Sequence, residues 1–139
     1  MIWGTQYDQV MNWLIKSGEK TPLDIYRGSV AWGNYLDNEF EYYTNTSKAT
    51  VTKNLGSVTR IASGAYEGAK ANNIYDLAGN VWLWTLEADS SWTGYSRYNR
   101  GGSYTLYYGA DGYASNRFGS ESYSSGSSVV GFDSTLYIK

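Results

Sequence analysis

The sequence predicts an α+β domain, and three observations carry that reading. An apolar helical period stands near the N-terminus, a run of β-branched and aromatic residues follows past the middle, and 139 residues suffice for one buried core but not two. Tyr7, Val10, Met11 and Leu14 recur at i, i+3, i+4 and i+7 and so share one helix face. Thr5 is the expected N-cap, with Asp8 as its capping-box partner. Lys16 and Gly18 mark the other end. Thr21-Pro22 places a cap before a proline at the first helical position and predicts a second, shorter helix over Leu23 to Tyr26.

From Ser29 to Gly68, Gly, Asn, Ser and Thr mix with isolated aromatics in no sustained period. The expectation is long loops with little regular structure, pinned by Trp32, Tyr35 and Phe40. Asp37, Glu39 and Glu41 alternate within it, a spacing that suits an acid–base pair but is expected here of a solvated loop. A polar turn over 73–80 then leads into Val81-Trp82-Leu83-Trp84-Thr85-Leu86, apolar on both faces, which predicts a central strand buried on both sides. Gly101-Gly102 predicts a bulge or a close backbone approach beside a strand. Ser134 to Lys139 ends the chain as a short strand. Of the six tryptophans, all are expected in the core except Trp92, which is expected at a surface.

Composition excludes several functions. There is no Cys, hence no disulfide, no thiolate nucleophile and no Cys-bound zinc. There is no His, which removes imidazole as base, shuttle or metal ligand and leaves most catalytic constellations unavailable. A net charge of -2 gives no basic surplus for a nucleic-acid partner. No apolar run reaches the length of a bilayer span, and Met1-Ile2-Trp3-Gly4 does not open a signal peptide. Ser17-Gly18-Glu19-Lys20 spells a Ser-Lys nucleophile pair, but Gly18 falls where the helix that would align it ends. Asn45-Thr46-Ser47 matches a glycosylation acceptor by chance.

Between Ser103 and Ser128 stand eight Ser, five Tyr and four Gly, too many of three types to carry a core periodicity. Tyr offers a rigid amphipathic contact surface, while Ser, Gly and Asn adapt their hydrogen bonds to what approaches, so the tract is suited to binding. A linker or low-complexity loop is the plainer reading of the same composition.

These segments together resemble the formylglycine-generating-enzyme (sulfatase-modifying-factor) type of C-type lectin fold. The likeness rests on the helix from Gly4-Thr5-Gln6-Tyr7-Asp8 onward, on Ala31-Trp32-Gly33-Asn34, on Ile74-Tyr75-Asp76-Leu77-Ala78-Gly79-Asn80-Val81-Trp82-Leu83-Trp84-Thr85, and on Arg100-Gly101-Gly102-Ser103-Tyr104 with Ala114-Ser115-x-Arg117 and Gly131-Phe132. It implies short antiparallel strands, one or two helices and much irregular loop, in a single domain over 1–139 or the C-terminal two-thirds of a larger one. Formylglycine-forming members use paired cysteines and sulfoxide-forming members hold iron with histidines, so the scaffold stands here without its chemistry. The family's structural calcium site draws on a glutamate between two tryptophans; Leu83 occupies that place, with Asp76 nearby, and no cofactor or metal is expected.

Within the family the chain resembles the variable proteins of diversity-generating retroelements, found in phages and their hosts. In these a reverse transcriptase randomises adenines in a C-terminal region. The resemblance implies a non-enzymatic receptor-recognition protein with a variable region over 98–133. Its ligand surface would be formed by Tyr98, Asn99, Tyr104, Thr105, Leu106, Tyr107, Tyr108, Asp111, Asn116, Phe118 and Tyr123. Trp82, Trp84 and the Gly101-Gly102 turn would form its rigid frame. Asp133 departs from the Arg usual at its place. The implied partner is a protein or glycan on a cell surface, with homo-oligomers allowed, and the implied setting is a phage virion or a bacterial surface. The alternatives are a calcium-dependent carbohydrate-binding lectin, whose Glu-Pro-Asn and Trp-Asn-Asp signatures are missing, a degenerate formylglycine-type enzyme, and a structural tail or coat component.

Overall fold

In the computed structural model, which describes residues 1–44, 49–88, 90, 96–107, 112–122 and 127–132, the chain opens with helix α1 (Gly4–Lys16). Tyr7, Met11 and Leu14 are its buried face, as the period predicts, with Val10 partly buried beside them. The cap is Trp3 rather than Thr5, because Gly4 already packs under Glu87 and the helix starts there. The reciprocal bond comes from Gln6, whose Oε1 accepts from the Trp3 N–H at 2.8 Å. Asp8 leaves the cap for an ion pair with Arg100. The C-terminus is a Schellman turn: Gly18 sits at φ +78°, its N–H donates to Ile15 O, and the Glu19 N–H donates to Leu14 O. Helix α2 (Pro22–Tyr26) begins at the expected cap, Thr21, and Asp24 completes a capping box with it.

The loop expected after Gly28 contains an antiparallel hairpin, β1 (Phe40–Thr44) and β2 (Ala49–Lys53), in register from Phe40–Lys53 to Thr44–Ala49. Only one end of it is buried: Phe40 stacks on Tyr66 at 3.9 Å over Ile61 and Ala65. β1 alternates, with Phe40 and Tyr42 inward, but over two apolar residues only, and β2 is exposed up to Lys53, so no period is sustained. A two-residue pair, β3 (Lys70–Ala71) and β4 (Ile74–Tyr75), follows.

The main sheet has the order β7-β6-β5-β8, with β5 (Trp82–Ala88), β6 (Ser96–Arg100), β7 (Arg117–Ser122) and β8 (Val130–Gly131). The run over Val81–Leu86 is therefore a central strand, antiparallel to β6 and parallel to β8. The expected strand at Ser134–Lys139 lies outside the described residues, as does Trp92. Trp82 and Trp32 are buried and Trp84 is half-buried, but Trp3, the cap of α1, and Trp13, turned away from the helix face that carries Tyr7, Met11 and Leu14, are exposed rather than in the core. The architecture is α+β with small open sheets. Among the described residues no helix is long and apolar enough to cross a membrane.

The turn into β5 is held by left-handed residues, Asn72, Asn73, Asp76, Gly79 and Asn80, all types that tolerate positive φ. Gly79 must be glycine, since a Cβ there would stand 2.3 Å from Asn34 O. Asn80 acts as a backbone partner: its Oδ1 accepts from the Ile61 N–H and its Nδ2 donates to Ile61 O, both at 3.1 Å. Tyr7 and Tyr35 bring their hydroxyls into the core, Tyr7 Oη at 2.7 Å from Leu77 O and Ala114 O, Tyr35 Oη donating to Gly101 O at 2.7 Å. Gly101, at φ +90°, makes the close approach expected of the glycine pair.

Candidate functional site

The site follows from the register of the main sheet. Leu83 pairs with Arg100 and Arg100 with Arg117; Trp84 pairs with Asn99 and Asn99 with Phe118. Paired residues share a face, and neighbours along a strand take opposite faces. Leu83 belongs to the core with Tyr7, Met11 and Leu14, so one face looks at α1. The other carries Trp84, Asn99 and Phe118 in a row.

On that second face the Phe118 ring meets the Trp82 ring at 5.7 Å, inclined by 32°. Their strands flank β6, so the contact bridges across it. Trp82 is buried, whereas Phe118, on the edge strand, keeps 39 % of its surface exposed. Asn99 is fully buried, and neither Oδ1 nor Nδ2 has a hydrogen-bond partner among the described residues. Such a group costs about 1–3 kcal/mol, so the core gains nothing from it.

The α1 face is ionic. Arg100 pairs with Asp8 and lies 5.1 Å from the centre of the Tyr7 ring, and burial makes its guanidinium easier to deprotonate than usual. Arg117 rests 3.7 Å above the Tyr98 ring and reaches Glu87 at 2.6 Å. Here strand alternation divides the expected ligand set: Tyr98 and Asn99 are neighbours in β6 and cannot line one surface.

The remaining expected residues fall into separate places. Tyr104 and Thr105 are half-buried in a turn, where the Tyr104 N–H donates to Asn80 O and the Thr105 hydroxyl meets Ser103 Oγ at 2.8 Å. Leu106 does not face outward: it packs on the core, and its carbonyl accepts from the Leu36 N–H. Tyr107, beside it, is 58 % exposed. Asn116 is half-buried, with Oδ1 accepting from the Arg117 N–H. Tyr108, Asp111, Tyr123 and Asp133 lie outside the described residues. The structure thus presents Phe118 and Tyr107 outward and turns Asn99 and Leu106 inward. Phe132, which follows β8 within the expected variable region but outside the expected ligand set, is exposed.

Asp76 offers a single carboxylate to a cation: its buried Oδ1 has no hydrogen-bond partner among the described residues, while Oδ2 accepts from the Ser63 hydroxyl at 2.6 Å and the Gly64 N–H at 3.2 Å. Calcium takes six to eight oxygens, and among the described residues no three acidic side chains gather. The Ser17-Lys20 pair is likewise unassembled: the Ser17 hydroxyl donates to Leu14 O, while the Lys20 ammonium lies over the Trp32 ring. Comparison of the chain with protein-family models, curated proteins and solved structures found no match.

Proposed function

We propose that the chain is a non-enzymatic binding module, a variable protein of the diversity-generating-retroelement kind with a C-type lectin-like scaffold, whose recognition surface is the sheet face bearing Phe118 together with the exposed Tyr107. The observation that carries this reading is Phe118, an exposed aromatic on an edge strand, seated on a buried Trp82. A binding surface needs side chains that can change without unfolding what lies beneath, and this pair separates presented ring from supporting ring. Large aromatics with a polar rim are the usual anchors of such surfaces. The buried Asn99, whose carboxamide has no partner among the described residues, supports the same reading, because groups that do not serve stability collect at functional places. The absence of Cys and His from the sequence supports a role without catalysis.

The test is to sequence sibling copies of the gene from one population. Changes confined to codons between 98 and 133, at positions that an adenine occupies in the template, are expected, and substitutions spread evenly along the chain overturn the reading.

A further inference from the structure

Among the described residues the carboxamides of Asn34, Asn80 and Asn99 are buried, and they are used differently. Asn80 is engaged at both ends: Oδ1 accepts from the Ile61 N–H and Nδ2 donates to Ile61 O, so it takes both polar groups of one main-chain residue. Asn34 donates from Nδ2 to Thr59 O and to Asn80 Oδ1. Asn99 has no hydrogen-bond partner at either end among the described residues. It stands on the sheet face between its register partners Trp84 and Phe118. The Phe118 side chain starts opposite Asn99 and its ring ends against Trp82, so it crosses β6 beside the carboxamide. That ring is on an edge strand and 39 % exposed, so turning it aside forfeits only part of a ring's burial.

An occupant that satisfies both ends of this carboxamide must offer a donor and an acceptor on one side. A trans amide, the N-acetyl group of an amino sugar included, points its N–H and C=O in opposite directions. An extended residue turns its own N–H and C=O to the same side, as in the hydrogen-bonded pairs of an antiparallel ladder. The Asn80–Ile61 pair is this arrangement already formed within the molecule.

We propose that Asn99 is a main-chain anchor, which takes the N–H and C=O of one residue in an extended peptide segment of the partner once the Phe118 ring has turned aside. The inference rests on reading this face as the recognition surface, and it names the ligand there as protein. Main-chain capture serves any sequence, so Asn99 supplies affinity while the exposed Phe118 and Tyr107 select side chains.

The test is a titration of the full chain with N-acetyl-L-valine methylamide, one residue of extended preference. Its ester analogue, in which oxygen replaces the valine N–H, and N-acetylglucosamine serve as controls. The Asn99 side-chain amide resonances locate binding, and the Phe118 backbone amide measures it in wild type and in Asn99→Leu alike. The valine compound should give saturable shifts at both, and the ester should bind about fivefold more weakly, the worth of one hydrogen bond. Asn99→Leu should bind the valine compound at least about fivefold more weakly and no longer tell it from the ester. Phe118→Ala, by removing the cover, should speed hydrogen exchange of the Asn99 side-chain amide at least about tenfold. Equal binding of valine compound and ester to wild type, unchanged binding in Asn99→Leu, or unchanged exchange in Phe118→Ala overturns the proposal. N-acetylglucosamine shifting the Asn99 resonances as strongly as the valine compound overturns it too. None of these outcomes touches the variation among sibling copies, so failure here and failure of the recognition reading are told apart.

Discussion

Phe118 and Trp82 lie on strands that are not neighbours, yet their rings meet at 5.7 Å across β6. One ring is buried and the other is 39 % exposed, so their removal should have unequal consequences. Trp82→Ala should cost about 3–5 kcal/mol, the range for a large buried aromatic. Phe118→Ala should cost about 1 kcal/mol, because much of the ring faces water already. Tyr107→Ala should fall within about 0.5 kcal/mol of wild type, as expected of a surface position. Urea unfolding of the three variants measures this. A Phe118→Ala loss equal to that of Trp82→Ala would make the ring part of the core and remove it from any recognition surface.

Asn99 gives the opposite sign. Its buried carboxamide has two unpaired polar atoms between Trp84 and Phe118. Asn99→Leu, similar in shape and apolar, should raise stability by about 1–3 kcal/mol, the penalty for an unsatisfied buried group. A drop in the unfolding midpoint would mean that the carboxamide has a partner in solution.

Lys53 is a buried cation with a structural task. Only 2 % exposed, it donates from Nζ to Tyr35 O at 2.8 Å and Asn38 O at 2.6 Å, with the Phe40 ring 5.4 Å away. It joins the end of β2 to the loop that enters the hairpin. Lys53→Met should cost about 2–3 kcal/mol, because both carbonyls lose a charged donor. Burial lowers the ammonium pKa from 10.5, with Asp37 partly opposing. The folded state therefore releases this proton at a lower pH than the unfolded chain. Between those two values the Lys53 contribution to stability rises with pH, and in Lys53→Met that rise should be missing from thermal melts taken across the alkaline range.

Elements with a strong local signature were legible in the sequence. The α1 period, the Thr21-Pro22 start and the doubly apolar run at Val81–Leu86 each depend on nearby residues, and the structure has all three. The hairpin was not legible, since most of β1 and β2 faces water and only Phe40 and Lys53 are buried at its base. A buried lysine carries no sign in a sequence until its carbonyl partners are known. The candidate site was partly legible: the tract could be named, but composition says nothing of face. Register alone separates Tyr98 from Asn99, and only packing shows that Leu106 belongs to the core while Tyr107 does not.

Asp76 tests how far the turn before β5 depends on charge. The carboxylate is buried at φ +59°, with Oδ2 held by Ser63 and Gly64 and Oδ1 unpaired. Burial raises its pKa above 3.8, against the two hydrogen bonds that lower it. The folded state thus takes up this proton at a higher pH than the unfolded chain, and the charge is a cost at neutral pH. As pH falls through the folded value towards 3.8 that cost is relieved, so the Asp76 contribution to stability grows on acidification. Asn shares the tolerance for left-handed backbone and keeps one oxygen for Ser63 and Gly64, so Asp76→Asn should be at least as stable as wild type at pH 7. The variant's advantage should shrink as the buffer is taken towards pH 4, because wild type then becomes neutral as well. Paired thermal melts at pH 7 and pH 4 decide it. A variant less stable at pH 7, with an intact fold by circular dichroism, would show that the carboxylate charge has a favourable partner and that burial is not its dominant environment.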